Sequence, residues 1–224
     1  ISGFCSALIV RTFAQSDVDE LGKYATIPVI NALTDDDHPT QLLADWLTIR
    51  ENFGKDLKKR KFVYIGDGNN VANAWLIMGA TMGAHIVVAT PAGKWAPKAS
   101  VVDQANKIAK KSGARIEITT DPKAAAKDAS VIYTDVWMSM GDSEADRSEK
   151  ISALSPFAVT NELMSLTTKD SIFMHCLPAH RGEEVAADVI DGPKSVVWRQ
   201  AFHRRTTIQA LLYHLTRGDL KGNN

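Results

Sequence analysis

The sequence predicts an α/β protein in which a parallel sheet is covered by helices and is accompanied by part of a second α/β unit. Two observations predict this fold class. From residue 62 onward, short apolar runs alternate with helical stretches, a pattern typical of parallel strands joined by crossover helices. Upstream, residues 1–34 show a strand–helix–strand pattern, which forms a parallel unit whose further sheet partners are missing.

The first 54 residues contain two predicted strands and two predicted helices. Phe4–Val10 and Ile27–Ile30 are apolar runs typical of short buried strands. Between them, Ser16 followed three residues later by Asp19 resembles a capping box at the start of a helix. The second helix is expected to begin at Pro39, because proline fits the first helical position.

A charged segment, Lys55–Lys61, predicts a domain boundary. The strands predicted beyond it are Phe62–Ile65, Ile86–Ala89, Arg115–Ile118, Val131–Thr134 and Ile172–Met174. Leucines at helical spacing predict a last helix. We therefore divide the chain into residues 1–54, residues 55–198, and residues 199–224, the last of which return to the first unit.

Composition limits the class of protein. The chain of 224 residues is 45% hydrophobic and 23% charged, which is typical of a globular protein. Its 26 basic residues balance 26 acidic ones, so no nucleic-acid or anionic-membrane partner is expected. No apolar stretch approaches the roughly 18–20 residues of a membrane span. The distant Cys5 and Cys176 favour the reducing cytoplasm over a disulfide scaffold.

Polar residues follow three of the predicted strands at their carboxyl ends. The segments Asp67–Asn70, Asp135–Gly141 and His175–Pro178 each come directly after a strand. Because parallel strands end at the same edge of a sheet, and α/β proteins bind ligands there, these segments are expected to converge. The sequence therefore predicts a site for a small, charged, hydrogen-bonding substrate.

Cofactor and metal chemistry are weakly supported. The loop Gly66–Val71 resembles the start of a dinucleotide fingerprint, but Val71 replaces its third glycine, and a turn with Asn residues capping a helix explains the glycines. His175 and Cys176 have only His180 and His203 in easy sequence reach, fewer ligands than a zinc site ordinarily needs. We expect neither a nicotinamide cofactor nor a metal.

Two further polar features have structural alternatives. His38 could simply cap the helix that follows it. Arg204 and Arg205 are expected at the start of the last helix, where they would either lie on a wet surface or meet a phosphate together with the helix N-terminus.

The order of the motifs resembles that of the ornithine carbamoyltransferases over nearly the whole chain. The motifs that carry this resemblance are Leu8–Phe13, His38-Pro39-Thr40-Gln41, Gly66–Asn70, Asp135-x-Trp-x-Ser139-Met140-Gly141 and His175-Cys176-Leu177-Pro178. The Ser-Met-Gly and His-Cys-Leu-Pro runs are those of the ornithine enzymes rather than of the related aspartate enzymes. The resemblance implies a Rossmann-like ornithine-binding domain beside the remnant of a carbamoyl-phosphate domain.

The resemblance also implies a reaction and residues for it. The carbamoyl group would pass from carbamoyl phosphate to L-ornithine, giving citrulline and phosphate, in a cytoplasmic homotrimer that needs no cofactor. Contacts with carbamoyl phosphate are implied for Arg11, His38, Pro39, Thr40, Gln41, Cys176, Leu177 and Arg204. Contacts with ornithine are implied for Asn70, Asp135, Ser139 and Met140. The residues expected to be catalytic are Asp135, Cys176, Arg11 and His38.

Two departures from the family pattern bear on these roles. The Ser-x-Arg-Thr run of the family's phosphate loop is absent from the sequence and is expected upstream of Ile1. The chain alone is therefore expected to be inactive. Side chains such as Trp46 are expected to be exposed, because the neighbours that would cover them are missing. Phe202-His203-Arg204 stands where the family has Glu-Asn-Arg, which keeps Arg205 as an alternative to Arg204. Transfer to another amine, such as putrescine or an acylated ornithine, and a non-catalytic truncated paralogue remain open.

Overall fold

The computed structural model describes residues 1–138, 143 and 145–217, and these form one two-stranded and one five-stranded sheet. The strands are β1 (Leu8–Arg11), β2 (Val29–Leu33), β3 (Lys61–Ile65), β4 (His85–Ala89), β5 (Arg115–Thr119), β6 (Val131–Thr134) and β7 (Ile172–His175). The α-helices are α1 (Gln15–Tyr24), α2 (Pro39–Phe53), α3 (Asn70–Thr81), α4 (Ala99–Ser112), α5 (Pro122–Ala126), α6 (Arg147–Leu154), α7 (Asn161–Ser165), α8 (Ala187–Ile190) and α9 (Val197–Thr216).

The small sheet pairs β1 with β2 in parallel, as the strand–helix–strand pattern predicts. Its boundaries differ from the prediction. The first strand begins at Leu8, and Phe4 is 95% exposed rather than part of a buried strand. Helix α1 begins at Gln15, so the predicted cap at Ser16 is wrong. The Gln15 side chain accepts hydrogen bonds from Asn31 and Thr34. These bonds tie the start of α1 to β2 and to the residue that follows β2.

The large sheet has the strand order β5-β4-β3-β6-β7, and every pairing in it is parallel. Starting from β3, the chain first builds outward through β4 and β5. It then crosses back to add β6 and β7 on the other side of β3. This reversal leaves a crevice at the carboxyl ends of β3 and β6, where doubly wound folds bind ligands.

Both faces of the large sheet are buried, because successive side chains of a strand point to opposite faces. Phe62 and Tyr64 face one apolar cluster, and Val63 and Ile65 face the other. Helix α2 contributes Trp46 to the first cluster, with its ring 5.5 Å from that of Phe62. Trp46 is only 5% exposed, so the expectation that it would be left in water is wrong.

The last helix begins earlier than the sequence pattern predicts. Helix α9 begins at Val197, two turns before Arg204, and packs along α2. Arg204 and Arg205 therefore lie within the helix, and neither is at its N-terminus. The predicted use of that N-terminus together with these arginines as a phosphate site is wrong. Among the residues placed by the structure, none belongs to a helix long and apolar enough to cross a membrane.

Candidate active site

A cavity of about 710 Å³ opens at the carboxyl ends of the strands. The segments predicted to converge do so, since Asp67, Asn70, Asp135 and Cys176 all line it. The opposite wall comes from the ends of β1 and β2 and from the segment that leads into α2. The residues contributed by that wall are Arg11, Thr12, Phe13, Leu33, Asp35 and His38.

Asp135 is the centre of the wall formed by the large sheet. It follows β6, and only 7% of its surface is exposed. Its Oδ2 accepts a hydrogen bond from Asn69 Nδ2 at 2.9 Å. Its Oδ1 accepts from Cys176 Sγ and from the backbone N–H of Val136, each at 2.8 Å. These three donors fix the carboxylate at the edge of the cavity.

Cys176 follows β7, and its thiol faces Asp135. Burial raises the pKa of Cys176 well above its ordinary range, and the negative charge of Asp135 raises it further. The sulfur therefore keeps its proton and donates a hydrogen bond to the carboxylate. Because the thiolate is the nucleophilic form of cysteine, this environment disfavours covalent catalysis by Cys176.

The glycine-containing loop after β3 is a tight turn with a helix cap. Asn69 is the N-cap of α3, and its Oδ1 accepts from the N–H groups of Val71 and Ala72 at 2.9 and 3.2 Å. That cap leaves Asn69 Nδ2 to donate to Asp135. A Cβ on Gly68 would lie 2.3 Å from the backbone nitrogen of Pro97, so the glycine is needed for close backbone packing.

Asn70 lines the cavity and joins the two sheets. Its Nδ2 donates to the backbone carbonyl of Thr34 at 2.7 Å, just beyond β2. Asn73, one turn further along α3, donates to the carbonyl of Asp36 at 3.2 Å. The two side chains hold the start of α3 against the segment that leads into α2. Ser139 and Met140 lie outside the described residues.

His38 precedes α2 at its N-cap position, but its side chain does not cap the helix. Burial lowers the pKa of His38 to about 3, and the positive charges of Arg204 and Arg11 lower it further. The imidazole is therefore neutral at pH 7. Its Nε2 lies 3.3 Å from Arg204 Nη1, which can only donate, so Nε2 accepts and Nδ1 carries the proton.

Arg204 reaches from α9 to the first turn of α2. Its guanidinium donates to the Oε1 of Gln41 and, at 3.4 Å, to the hydroxyl of Thr40. Arg205 is exposed on another face of the helix. Arg204 is thus the arginine that meets the His38-Pro39-Thr40-Gln41 motif, with Pro39 as the first residue of the helix.

The remaining predicted residues lie on the cavity wall. Arg11 is exposed at the end of β1. Leu177 lines the cavity with a left-handed backbone, φ 58°, and its N–H donates to His175 Nδ1 at 2.8 Å. This turn brings Leu177 beside Cys176 at the end of β7. The structure therefore places Arg11, His38 and Leu177 around the same space as Asp135 and Cys176.

Two family models match almost the whole chain. "Aspartate/ornithine carbamoyltransferase, Asp/Orn binding domain" matches residues 58–215, and "Aspartate/ornithine carbamoyltransferase, carbamoyl-P binding domain" matches residues 1–51. The chain belongs to the aspartate/ornithine carbamoyltransferase family. The first of these matches covers the five-stranded sheet with α9, and the second covers the two-stranded sheet with most of α2.

Individual members of the carbamoyltransferase family are similar over most of the chain. The ornithine carbamoyltransferase of Anoxybacillus flavithermus is 51% identical over 215 residues, which are 96% of this chain and 68% of that protein. The anabolic ornithine carbamoyltransferase of Pyrococcus furiosus is 50% identical over 95% of this chain and 66% of its own length. The solved P. furiosus structure superposes with a TM-score of 0.91 at 49% identity, over 98% of this chain and 69% of that one.

Beside these family motifs, the structure shows buried polar residues that sequence reasoning missed. Lys150 of α6 forms a 2.7 Å ion pair with Asp67, and both side chains are almost fully buried. Asp45 and Gln200 are fully buried and hydrogen-bonded to each other behind Gln41. Only the four-residue spacing of Gln41 and Asp45 was visible in the sequence as a helical pair. The other partners are distant along the chain and meet only in the folded carbamoyltransferase.

One group in the described part of this carbamoyltransferase chain could hold a metal ion. His180, Glu183 and Glu184 place one ligand atom each within 4.8 Å of one another. Glu184 is already engaged, because its Oε1 accepts from the N–H of His180 at 2.6 Å and lies 3.3 Å from His175 Nε2. These contacts fit an anchor for the loop that follows Leu177.

Proposed function

We propose that this protein transfers the carbamoyl group of carbamoyl phosphate to the side-chain amine of L-ornithine, giving citrulline and phosphate. One observation carries the proposal. The Asp135–Cys176 pair lies on one side of the cavity, and Arg11 and His38, the latter in contact with Arg204, line the other. A carboxylate suited to an amine thus faces cationic and neutral donors suited to an acyl phosphate. The relatives named as ornithine carbamoyltransferases support the same reaction.

On the ornithine side, the chemistry requires a neutral amine. An alkyl ammonium has a pKa near 10.4, so its deprotonation at pH 7 costs roughly 4–5 kcal/mol. Asp135 would accept a hydrogen bond from the amine and hold it toward the carbonyl carbon. Asp67, also on the cavity wall, is neutralised by Lys150 and competes less for the amine. Asn70, Ser139 and Met140 would contact the rest of ornithine.

On the carbamoyl-phosphate side, donors would meet the charge that develops on the carbonyl oxygen. Arg11 would supply one of them. His38 would supply another from Nε2 once Arg204 turns to the phosphate and releases that nitrogen, which accepts from Arg204 in the structure. One well-placed donor is worth roughly 3–4 kcal/mol in such a reaction. Arg204 would bind the phosphate, with Pro39 and Thr40 beside it at the start of α2. Gln41 and the carbonyl of Leu177 would hold the carbamoyl NH2 group.

The transfer would be direct from carbamoyl phosphate to ornithine. The amine nitrogen forms a bond to the carbamoyl carbon as the bond between that carbon and the phosphate oxygen breaks. Phosphate leaves with that electron pair and takes up the proton that the nitrogen releases. Cys176 would orient the amine through Asp135 without forming a bond to carbon, because its thiol keeps its proton. No cofactor takes part in this proposal. We also propose a cytoplasmic homotrimer as the complete assembly, as the resemblance implies, and a place for the reaction in arginine metabolism.

The test is an amine panel with the complete product of the gene that encodes this chain. Citrulline formation from L-ornithine is compared with carbamoylation of putrescine and of an acylated ornithine. We expect kcat/KM for L-ornithine to exceed that for either alternative by at least about 100-fold, because a site built for polar groups rejects analogues that leave those groups unpaired. Preference for another amine would assign the protein to that amine. Absence of carbamoylation of every amine would refute the proposal.

A further inference from the structure

A buried carboxylate lies behind the candidate site in the middle of α2. Asp45 is fully buried, and its Oδ1 accepts two hydrogen bonds from carboxamides. One comes from Gln41 Nε2 at 2.8 Å, within the same helix. The other comes from Gln200 Nε2 at 2.7 Å, from α9. Neither Asp45 nor these two glutamines line the cavity, so Asp45 acts on any substrate only through the residues that the glutamines contact in turn.

We propose that Asp45 is a positioning residue for carbamoyl phosphate, which sets the orientation of the Gln41 and Gln200 carboxamides. This inference rests on the proposed function and adds to it a residue that does not touch either substrate. In this proposal the Oδ1 of Asp45 aligns groups on both walls of the site.

The argument starts from the polarity of an amide. A carboxylate can only accept hydrogen bonds, so Gln41 must present its NH2 group to Asp45. The Oε1 of Gln41 is then directed toward Arg204, whose guanidinium donates to it. A reversed carboxamide would place a carbonyl oxygen against the carboxylate and an NH2 group against the guanidinium. Both contacts would be repulsive, so Asp45 fixes the polarity with which Gln41 meets Arg204.

Asp45 also fixes the orientation of Gln200, which contacts the wall formed by the large sheet. With its Nε2 bound to Asp45, its Oε1 accepts the backbone N–H of His175 at 3.0 Å. His175 is the last residue of β7 and directly precedes Cys176 and Leu177. The same Nε2 lies 3.3 Å from the hydroxyl of Tyr133, a fully buried residue of β6. Asp45 thus connects α2, α9 and the ends of two strands through buried contacts.

Burial of the Asp45 carboxylate destabilises the fold, and this favours a functional reason for an aspartate at this position. Burial raises the pKa of Asp45 to about 7, and the hydrogen bonds from Gln41, Gln200 and Tyr133 and the charge of Arg204 offset only part of the shift. An apolar residue of similar volume at this point would avoid the penalty. Strongly perturbed carboxyl groups beside a cleft are enriched at functional sites.

The experiment compares three variants in the complete gene product. Asp45→Leu replaces both carboxylate oxygens with methyl groups and so removes the acceptor, and Asp45→Asn keeps an acceptor oxygen. Thr48→Val is the matched control, because Thr48 is equally buried on α2 but its hydroxyl bonds only the carbonyl of Ala44 in its own helix. For each variant, KM is measured separately for carbamoyl phosphate and for ornithine, together with kcat and the melting temperature.

We expect Asp45→Leu to raise the KM for carbamoyl phosphate at least tenfold, with the KM for ornithine within threefold. Asp45→Asn should recover a carbamoyl-phosphate KM within threefold of the wild type, and Thr48→Val should stay within twofold. The inference is overturned if Asp45→Leu leaves the carbamoyl-phosphate KM within threefold, or raises both KM values equally. It is also overturned if Asp45→Asn is no better than Asp45→Leu.

A second measurement separates this inference from the proposed function and covers a variant that loses activity by misfolding. Carbamoyl phosphate alone should raise the melting temperature of the wild type and of Thr48→Val, because a ligand that binds only the folded state stabilises it. The shift should be restored in Asp45→Asn and at least halved in Asp45→Leu. A wild type that binds carbamoyl phosphate but makes no citrulline refutes the proposed function. The melting-temperature shifts of the variants would still test the inference about Asp45. Equal shifts in all variants, or no shift in the wild type, would overturn the inference.

Discussion

The thiol of Cys176 donates a hydrogen bond to the carboxylate of Asp135, with Sγ 2.8 Å from Oδ1. The two residues follow adjacent strands, β6 and β7, whose pairing brings their carboxyl ends side by side. Burial raises the pKa of the thiol and the carboxylate raises it further, so the sulfur remains a neutral donor. The pair thus presents one fixed carboxylate to the cavity, and the sulfur is its support.

Removing the charge of Asp135 should abolish most of the activity. In Asp135→Asn, the side chain keeps an oxygen for Cys176, but it can no longer offset the charge of the substrate amine. We expect kcat/KM for ornithine to fall at least about 100-fold, equivalent to about 2.7 kcal/mol of transition-state stabilisation. Binding of carbamoyl phosphate, measured by its effect on the melting temperature, should change little. Turnover within twofold of the wild type would show that Asp135 does not contact the amine.

Alkylation should distinguish the two cysteines of the chain. Cys5 is exposed, whereas Cys176 is only partly exposed at the cavity wall, and the pKa of its thiol is raised. Because the thiolate is the reactive form, iodoacetamide at pH 7.5 should label Cys5 much faster than Cys176, and both substrates together should slow labelling of Cys176 further. Peptide mass spectrometry at timed intervals measures both rates in one sample, with Cys5 as the internal control.

The same assignment predicts that Cys176→Ser retains part of the activity, because a hydroxyl can also donate to Asp135. We expect kcat to fall about fivefold to thirtyfold, since poorer alignment of this one contact is worth roughly 1–2 kcal/mol. Rapid quenching during turnover should yield no carbamoylated Cys176. Trapping that adduct at a competent rate would establish a covalent mechanism instead.

The parts of the site that could be predicted are those fixed by strand periodicity. Asp67, Asp135 and Cys176 follow apolar runs of strand length, and parallel strands bring such positions to one edge. The start of β1 could not be predicted in the same way. Phe4 is as apolar as the strand that follows it, but it is 95% exposed in the structure, and local hydrophobicity does not report which runs find a pairing partner.

Contacts between distant segments were the other limit of prediction. The sequence drew attention to Asn70, but its neighbour Asn69 makes the hydrogen bond to Asp135, because the helix cap fixes which side of that carboxamide faces the strand. Asp45 and Gln200 meet only through the packing of α2 against α9. Neither contact follows from spacing along the chain, so both required three-dimensional packing.

The raised pKa of Asp45 predicts a stability that depends on pH. The ordinary value is 3.8 and the folded value is about 7, so the folded state binds the proton more tightly. This group therefore contributes stability below about pH 4, and that contribution is lost as the pH rises through 7. Three pKa units correspond to at most about 4 kcal/mol. The free energy of unfolding of Asp45→Asn, relative to that of the wild type, should accordingly be greater at pH 8 than at pH 5.

Urea unfolding of the 224-residue chain at several pH values measures this difference. Subtraction of the wild-type curve from that of Asp45→Asn isolates Asp45 from other titrating groups. Thr48→Val is again the control, and its difference from the wild type should not vary with pH, because threonine does not titrate. A difference for Asp45→Asn that is flat between pH 5 and pH 8 would mean that the carboxyl group is not destabilised by burial.

The buried pair of Lys150 and Asp67 should be worth more than any exposed pair in the described chain. Their side chains are 3% and 8% exposed, so Lys150→Met would leave a carboxylate in a poorly solvated position. Loss of one partner of a buried pair ordinarily destabilises a protein by about 3–5 kcal/mol. Lys123→Met is the matched control, because Lys123 and Glu162 are 66% and 74% exposed and water screens such a pair, so that its loss should change stability little. The double variant Asp67→Asn, Lys150→Met should recover most of the loss, since it removes the unpaired buried charge.

Urea unfolding at pH 7 measures the free energy of unfolding of all of these variants. Equal losses for Lys150→Met and Lys123→Met would show that the Asp67 carboxylate is well solvated without its partner, and Asp67 would then compete with Asp135 for the substrate amine.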